Sequence, residues 1–484
     1  MCPGQGCSSI SCILMEKTSL KKCIFLSLIF FVVTGINFTN YPTTKWHFWR
    51  SKLHPSTLHP TADLSHHSAA NLTEQNITPI KDTKHFLVSA YKDHRIDGTI
   101  RIITIFRRDD VRRLYCIIGC AQQGYLVTAA EIDIHSDHFG FPYQTTDLLC
   151  KTEPKCDPTN VTISNFLYSL DIPDMIFLPI QNRERKEHNF KHNFTVCISN
   201  LFGTYNNVLQ FVQTIEVYKL LGIEKVVIYN TSCGPDLDKV LQYYREEGTL
   251  EIHQWPIDQF LNPSKGWKFQ RDKGDLHYYG QLTTLNDCIY RNMYRSKYLL
   301  LNDIDEIIMP YQHATLEHLL EDLQRQNPTV GVFIIQNRFF PKTVFGDEGR
   351  FSFPRWKIVP GVNILEHIYR EPVKKDVYNP SKIIMNPRQV VQTSVHSVLK
   401  NYGDTLRVPP DVCSVVHVKD RLQRRLSKEQ LIVDKKLWEY QKDLVPNVDH
   451  VLNTLGIYER IIKYAYQKDT PLQETSQLIK VGKP

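Results

Sequence analysis

The chain has 484 residues, of which 42% are hydrophobic, 23% charged and 11% aromatic, and a formal net charge of +7. A chain of this length exceeds the size at which one hydrophobic core keeps growing, so we expect two or more folded units. The composition excludes a collagen-like, disordered or multi-span membrane protein, and the small, dispersed basic excess gives no indication of nucleic-acid binding.

An apolar run near the amino terminus predicts a membrane anchor. Residues 23–38 follow Lys17, Lys21 and Lys22, so we expect a single span with residues 1–22 in the cytosol. The run is short, since a span needs about 17 to 25 residues. A cleaved signal peptide is the alternative, although no small-x-small cleavage site follows the run. With an uncleaved anchor, the rest of the chain is luminal.

Sequons and cysteines agree with a luminal location. Six asparagines stand in N-glycosylation sequons: Asn37, Asn71, Asn76, Asn160, Asn193 and Asn230. Eight of the twelve cysteines lie beyond the anchor, and an even number suits disulfides in an oxidising compartment. We expect four of them to pair among themselves: Cys116, Cys120, Cys150 and Cys156. Zinc is the alternative, but no cysteine pair has the close spacing of a zinc ribbon.

The remaining chain is predicted to contain a stem and two folded regions. Residues 39–85 are rich in Ser, Thr, His and Pro and lack apolar periodicity, which is typical of a stem. Residues 86–182 contain short runs such as GTIRIITIF separated by turns, which predicts a small β-rich domain. In residues 190–470 strand and helix patterns alternate, so we expect a separate α/β domain.

The alternation in the last region predicts a mainly parallel sheet. The segments TVCISNLF, EKVVIYNTS, LEIHQWPI and YLLLNDID are predicted as strands. The helices between the first three end at Gly222 and Gly248, and Asp275 is expected to cap the helix before the fourth. A sheet of this kind carries helices on both faces and binds ligands beyond the carboxyl ends of its strands.

Two aspartates stand at the end of the fourth predicted strand. Because strand side chains alternate, Asp303 and Asp305 are expected to point to the same side. Such a pair suits a hard divalent ion, Mn²⁺ or Mg²⁺, that takes its remaining ligands from the diphosphate of a nucleotide sugar. Capping of the following turn is the structural alternative. Asp236 and Asp238 form a second acid-x-acid pair, but they follow Gly-Pro at a helix start, where acids complement the helix dipole.

A phosphatase is a second chemical interpretation of the same motif. Haloacid-dehalogenase-like phosphatases place an acid-x-acid at the end of an apolar strand, and the first acid is the nucleophile. They usually have Thr or Val two residues after the second acid, where this chain has Ile307. Their motif usually follows the first strand of the catalytic unit, whereas here it follows the fourth.

Longer segments around the acidic pair resemble glycosyltransferase family 92. These are HYYGQLTTLNDCIYRNMYRSKYLLLNDIDEIIMP, FTVCISNLFGTYNNVLQFVQTIEVYKLLGIEKVVIYN, NRFFPKTVFGDEGRF, SKIIMNPRQVVQTSVHSV and SVVHVKDRL, within about residues 190–425. The resemblance implies a GT-A fold, UDP-galactose as donor, Mn²⁺ as cofactor and inversion to a β-linked product. It also implies a type II Golgi membrane protein that acts on terminal galactose or fucose of glycoprotein N-glycans through a β-1,4 linkage.

The resemblance implies roles for individual residues. Asp303 and Asp305 become the metal and diphosphate pair, and GT-A enzymes commonly add a late histidine, for which His396 and His417 are the candidates. Either histidine could instead be structural. The nucleotide is expected at Ser199, Asn200 and Tyr205, unless these only cap the following turn and helix. Lys382 and Arg388 are expected near the diphosphate, and the alternative is that both are solvated charges near a strand end.

An inverting transfer also needs a general base. The acids expected on the acceptor side are Asp347 and Glu366, with Glu348 and Glu306 as further candidates. Three alternatives stay open for the whole protein: a glycosyltransferase with another UDP-sugar donor, a catalytically inactive glycan-binding relative, and a luminal phosphohydrolase.

Overall fold

The computed structural model describes residues 71–459, except for 74–75, 123, 167–173, 186–187, 374–377, 422 and 424. The predicted cytosolic tail, the anchor at residues 23–38 and the first part of the stem lie outside the described residues. Within the described part, no helix has the length and apolar character that crossing a membrane requires.

Nine strands between residues 71 and 181 form one sheet. Their order is β1-β9-β8-β5-β6-β7-β4-β3-β2, and β9 also pairs with β3, which brings the two ends of the sheet together. The predicted runs rich in β-branched residues form these strands. The strands are β1 Asn71–Leu72, β2 Thr78–Pro79, β3 Phe86–Lys92, β4 Thr99–Arg107, β5 Tyr115–Cys120, β6 Gly124–Ile134, β7 Tyr143–Lys151, β8 Pro158–Ser164 and β9 Ile176–Gln181.

Two disulfides stabilise this nine-stranded sheet. Cys116 pairs with Cys150 and Cys120 with Cys156, so the prediction that these four cysteines pair among themselves is confirmed. A third disulfide joins Cys197 to Cys288, a pairing that was not predicted. In the described residues, Cys233 and Cys413 have free thiols.

The strands after residue 190 build a seven-stranded sheet and smaller ones. They are β10 His192–Leu201, β11 Lys225–Asn230, β12 Leu250–Gln254, β13 Ser296–Asn302, β14 Glu306–Pro310, β15 Val330–Ile335, β16 Asn337–Pro341, β17 Tyr369–Arg370, β18 Lys382–Met385, β19 Val390–Thr393, β20 Val398–Asn401, β21 Asp404–Arg407, β22 Cys413–Lys419 and β23 Ile432–Val433.

The seven-stranded sheet has the order β12-β11-β10-β13-β18-β15-β21. Strands β12, β11, β10 and β13 are parallel to one another, β18 is antiparallel to both of its neighbours, and β15 pairs in parallel with β21. The α/β class is therefore confirmed, and the sheet is mixed through one antiparallel strand. Strands β14, β22 and β16 form a separate sheet, with β14 directly after β13 in the chain.

Seven α-helices lie in this second region of the described chain: α1 Val208–Leu220, α2 Pro235–Glu247, α3 Phe269–Asp272, α4 Gln281–Asn292, α5 Leu316–Gln326, α6 Pro354–Lys357 and α7 Gln441–Thr454. Helix α2 begins at Pro235 with Asp236 and Asp238 in its first turn and ends before Gly248 in a left-handed conformation. The interpretation of this second acid-x-acid pair as a helix start is confirmed.

The helix before β13 does not begin as predicted. Asp275 accepts a hydrogen bond from the backbone N–H of Asn262, and α4 begins six residues later, after the 3₁₀ turn His277–Gly280. The capping prediction for Asp275 is wrong because this turn separates the aspartate from the first helical residue.

The two main sheets share a hydrophobic core. Ile103 and Ile105 of the nine-stranded sheet pack in one cluster with Val227, Leu299 and Leu301 of the seven-stranded sheet. Leu299, Leu300 and Leu301 are each 0 or 1% exposed. Burial of one such side chain contributes roughly 1.5–3 kcal/mol. This packing fixes the end of β13, after which the acidic pair follows.

Candidate functional site

The acidic pair lies in a turn between β13 and β14. Residues 303–305 are not part of a strand, and the backbone N–H of Glu306 donates to the carbonyl of Asp303 at 3.2 Å. The prediction that strand alternation orients Asp303 and Asp305 is therefore wrong, because β13 ends at Asn302. The turn still presents both carboxylates, whose side chains are 35% and 33% exposed.

Lys382 and Glu306 lie directly behind this turn. The Nζ of Lys382 is 2.8 Å from Asp303 Oδ2 and 2.9 Å from Glu306 Oε2, and the side chains of Lys382 and Glu306 are each 1% exposed. Burial alone would lower the pKa of Lys382, but Asp303 and Glu306 outweigh burial and raise it. Likewise Lys382 and His417 hold the pKa of the buried Glu306 well below its usual range.

His417 connects Glu306 to Asp305. Its Nδ1 is 3.1 Å from Glu306 Oε1, and its Nε2 is 3.2 Å from Asp305 Oδ2. The pairing of β14 with β22 explains this position, since Glu306 and His417 are opposite each other across the two strands. Burial would lower the pKa of His417, but the carboxylates of Glu306 and Asp305 raise it to about 9.

His396 lies near Lys382. Its Nδ1 is 2.9 Å from the carbonyl of Ser381, and neither aspartate is among its hydrogen-bond partners. Burial lowers the pKa of His396, and the charge of Lys382 lowers it further. Of the two predicted late histidines, only His417 contacts the acidic pair.

The donor atoms of the site fit a divalent metal in their chemistry. Asp303 and Asp305 offer partly exposed oxygens, and His417 offers Nε2 while a carboxylate holds its Nδ1, an arrangement common around metal-binding histidines. Within the residues that the structure describes, no group of three or more His, Cys, Asp or Glu side chains forms a complete metal site. A cation bound by the two aspartates would need further ligands, which a diphosphate can supply.

A strained backbone segment lies against the acidic pair. Tyr278 and Tyr279 both have left-handed conformations, with φ of 38° and 53°, a state that costs a non-glycine residue about 1–3 kcal/mol and is concentrated at functional sites. The side-chain amide of Asn200 stabilises it by donating to the carbonyls of Tyr278 and Tyr279 at 3.0 and 2.8 Å. Burial, reinforced by Asp303 and Asp305, raises the pKa of Tyr278 to about 12.

The other predicted nucleotide residues lie around the same strand end. Asn200 also accepts from Thr284 at 2.8 Å, so its side chain is fully used within the protein. Ser199 accepts from Nε2 of Gln281, which also donates to Asp303 Oδ1 at 3.1 Å. Tyr205 is close to Asp305, whose charge adds to burial in raising its pKa.

Sequence reasoning gave no role to Tyr278 or Gln281. Both stand in the segment HYYGQ, and the Gly280 that follows two large aromatic residues was the available signal for an unusual backbone.

Arg388, which was predicted to lie near the diphosphate, donates to the backbone carbonyls of Met293, Ser296 and Lys297.

The predicted general bases lie in different surroundings. Asp347 is exposed, accepts from Tyr369 Oη at 2.6 Å and pairs with Lys428. Glu348 is 54% exposed and pairs with Lys435. Glu366 lines a cavity of about 320 Å³, and its carboxylate has no ion-pair partner in the described part of the chain.

The chain is similar to two galactosyltransferases at low sequence identity. The chain is 24% identical to the β-1,4-galactosyltransferase galt-1 of Caenorhabditis elegans over 359 residues, 70% of this chain and 75% of that protein. It is 21% identical to the galactan β-1,4-galactosyltransferase GALS3 of Arabidopsis thaliana over 304 residues, 62% of this chain and 54% of that protein.

Solved structures give weaker matches. The crystal structure of Staphylococcus aureus TarS residues 1–349 with UDP-GlcNAc aligns over 60% of this chain and 79% of that chain, with a TM-score of 0.27 and 13% identity.

The family model described as glycosyltransferase family 92 matches residues 192–447, which include the acidic pair, Lys382, His417 and Glu366. The chain belongs to glycosyltransferase family 92.

Proposed function

We propose that this protein is an inverting, metal-dependent glycosyltransferase of the GT-A type that transfers galactose from UDP-galactose to a glycoprotein glycan, forming a β-1,4 linkage. The observation that carries the proposal is the turn at the end of β13, where Asp303 and Asp305 are held by Lys382 and His417. The site lies beyond the carboxyl ends of parallel strands, where sheets of this kind bind nucleotides. The names of the two galactosyltransferase relatives support the donor and the linkage.

In this proposal the chain's own residues orient the acidic pair. Lys382 and Gln281 hold the Asp303 carboxylate, and His417 holds that of Asp305. Bound Mn²⁺ would supply positive charge to the two carboxylates and to the diphosphate, which stabilises UDP as leaving group. Tyr205 and Tyr278 lie beside the aspartates and are proposed to close the donor site on the side of β10.

Glu366 is proposed as the general base rather than Asp347. The direct displacement forms a bond between the acceptor oxygen and carbon one of galactose and breaks the bond from that carbon to the phosphate oxygen, whose electron pair leaves with UDP. A general base must take the acceptor hydroxyl proton, and a carboxylate can do so. Asp347 is already bound to Lys428 and Tyr369, whereas Glu366 has no such partner among the described residues.

We also propose a Golgi location with the catalytic region luminal, anchored by residues 23–38. The three disulfides of the described chain support an oxidising compartment, because disulfides are rare in the cytosol.

The test is transfer of radiolabelled galactose from UDP-galactose to a mixed N-glycan pool by the full chain, with and without Mn²⁺. Asp305→Asn is compared with Asp238→Asn, which makes the same change in the other acid-x-acid pair, at the start of α2. We expect metal-dependent transfer by the unchanged chain and by Asp238→Asn, and loss of about a hundredfold or more for Asp305→Asn.

The other outcomes separate the alternatives. Transfer from a different UDP-sugar alone would correct the donor. A folded chain that transfers no sugar but binds glycans would be the inactive relative, and one that releases phosphate from simple esters would be the phosphohydrolase.

A further inference from the structure

A cavity of about 320 Å³ lies at the start of α1. Its lining includes Leu209, Phe345, Phe353, Val362 and Glu366. This volume is at the lower end of the range of small-molecule sites, about 300–1,000 Å³, so the cavity suits one terminal sugar and not an extended glycan. Phe345, whose side chain is 53% exposed, makes one wall accessible from solvent.

Hydrogen bonds connect the cavity wall to the turn of the acidic pair. The backbone N–H of Val362 donates to Asn207 Oδ1 at 2.8 Å, and Asn207 Nδ2 donates to Gln210 Oε1 at 2.6 Å. Gln210 Nε2 in turn reaches the carbonyl of Asp305 at 3.5 Å. Two side chains near the start of α1 therefore connect the cavity wall to the backbone of Asp305.

A glycine makes this close contact possible. Gly361 has φ of 122°, and a Cβ atom at this position would lie 2.2 Å from Asn207 Oδ1. The loop of residues 360–363 packs directly on the start of α1 through this position, where the carbonyl of Pro360 accepts from the N–H of Leu209 at 2.9 Å. The segment that carries Val362 and Glu366 is thus fixed against the start of α1.

The chemistry of the walls fits a sugar. Phe345 and Phe353 offer apolar ring surfaces, which pack against the C–H face of a pyranose. Glu366 offers hydroxyl groups a carboxylate that has no ion-pair partner among the described residues. Lys342 on the rim is paired with Asp420 at 3.1 Å, which leaves Lys357 to balance Glu366. His367 is buried, and burial lowers the pKa of its imidazole. The walls therefore carry little net charge, which favours a neutral sugar over an acidic one.

We infer that this cavity is the acceptor subsite and that it takes a neutral terminal pyranose. This inference rests on the proposed function. Phe345 supplies the contact with the sugar face, and Glu366 takes the proton of the attacking hydroxyl while the new C–O bond forms and the bond to UDP breaks. The two residues therefore have separable effects, one on binding and one on the chemical step.

The test compares Phe345→Ser, Glu366→Gln and the control Glu246→Gln, an exposed glutamate on α2. Phe345 is half-exposed, so we expect the Phe345→Ser chain to fold. Binding of a galactose-terminated N-glycan to the full chain, without donor, is measured by saturation-transfer NMR, beside transfer kinetics. A sialylated glycan of the same core is the acidic comparison.

We expect Phe345→Ser to raise the acceptor KM about tenfold with little change in kcat. Glu366→Gln is expected to bind the glycan normally but to lower kcat about a hundredfold or more, as loss of a general base does. The control matches the unchanged chain, and the sialylated glycan does not bind.

Two results would overturn the inference. One is an unchanged acceptor KM in Phe345→Ser together with unchanged kcat in Glu366→Gln while the parent chain transfers sugar. The other is equal binding of the sialylated glycan. If the parent chain binds the neutral glycan through Phe345 but transfers nothing, the proposed activity fails and the binding subsite stands; if it binds no glycan, both fail.

Discussion

Lys382 Nζ and Glu306 Oε2 form an ion pair of 2.9 Å in which both side chains are almost completely buried. The same ammonium group contacts Asp303, and the same carboxylate contacts His417. The acidic turn is therefore backed by a connected set of buried charges, in which removal of Lys382 takes a charge partner from both Asp303 and Glu306.

Replacement of Lys382 by Met is expected to destabilise the protein by about 3–5 kcal/mol, the usual cost of leaving a buried charge without its partner. Urea unfolding at pH 7 measures the change. The matched control is Lys400→Met, since Lys400 is 56% exposed and pairs with Asp133 on the surface, where a pair contributes about 0–1 kcal/mol. The double variant Lys382→Met, Glu306→Gln should be more stable than Lys382→Met alone. If Lys382→Met and Lys400→Met lowered the free energy of unfolding equally, this account would be contradicted.

The contacts of the two late histidines predict different effects on metal binding. Because Nε2 of His417 contacts Asp305, we propose His417 as the third protein ligand and expect His417→Gln to weaken Mn²⁺ binding about tenfold or more in the presence of UDP. His396→Gln should change it much less, since His396 contacts the carbonyl of Ser381 instead. Electron paramagnetic resonance of free Mn²⁺ measures both, and a larger loss in His396→Gln would reverse the assignment.

The buried carboxylate of Asp287 predicts loss of stability in acid. Burial would raise the pKa of Asp287, but Arg291 and the hydroxyls of Ser89, Tyr91 and Tyr229 lower it. A group whose pKa is lowered in the folded state stabilises the protein at pH values above its pKa in the unfolded state, which is about 3.9 for Asp. This stabilisation is lost as the pH falls through the lower pKa that the group has in the folded state.

We therefore expect the free energy of unfolding to fall below about pH 4. Asp287→Asn should be less stable than the unchanged chain at pH 7, and its stability should depend less on pH in this range. Urea unfolding from pH 3 to pH 7 tests the prediction. Parallel pH curves for the two chains would show that another group dominates the acid response.

Several features of the fold followed from the sequence because they depend on local patterns. Apolar periodicity and helix stops such as Gly222 and Gly248 predicted the order β10, α1, β11, α2, β12, and the leucines predicted β13. The acidic pair was recognisable for the same reason, since it stands where a buried strand meets polar residues.

Other features depend on contacts between distant parts of the chain. Lys382 is in a strand 79 residues after Asp303, and a lysine in an apolar run does not reveal that it will be completely buried. The left-handed Tyr278 and Tyr279 are held by Asn200 of β10. Side-chain alternation failed at Asp303 because the strand ends at Asn302, three residues before the end of the predicted strand at Asp305. The disulfide of Cys197 with Cys288 likewise depends on α4 packing across β10.

The proposed luminal location predicts which sequons carry glycans. Asn193 is exposed, whereas Asn230 is 8% exposed at the end of β11 and its amide donates to the sulfur of Cys233. A glycan on Asn230 would have to displace this packing, so we expect Asn193 to be occupied and Asn230 to be empty. Enzymatic release of N-glycans in heavy-oxygen water, followed by peptide mass spectrometry, marks each occupied asparagine.

Asn193→Gln is the matched variant. The mass that this variant loses on glycan release should be smaller by the mass of one N-glycan. Occupancy of Asn230 in a folded, secreted protein would contradict the packing around β11. A full chain from eukaryotic cells that carries no N-glycan at any sequon would instead contradict the luminal location, because the exposed Asn193 would then have passed the glycosylation machinery without modification.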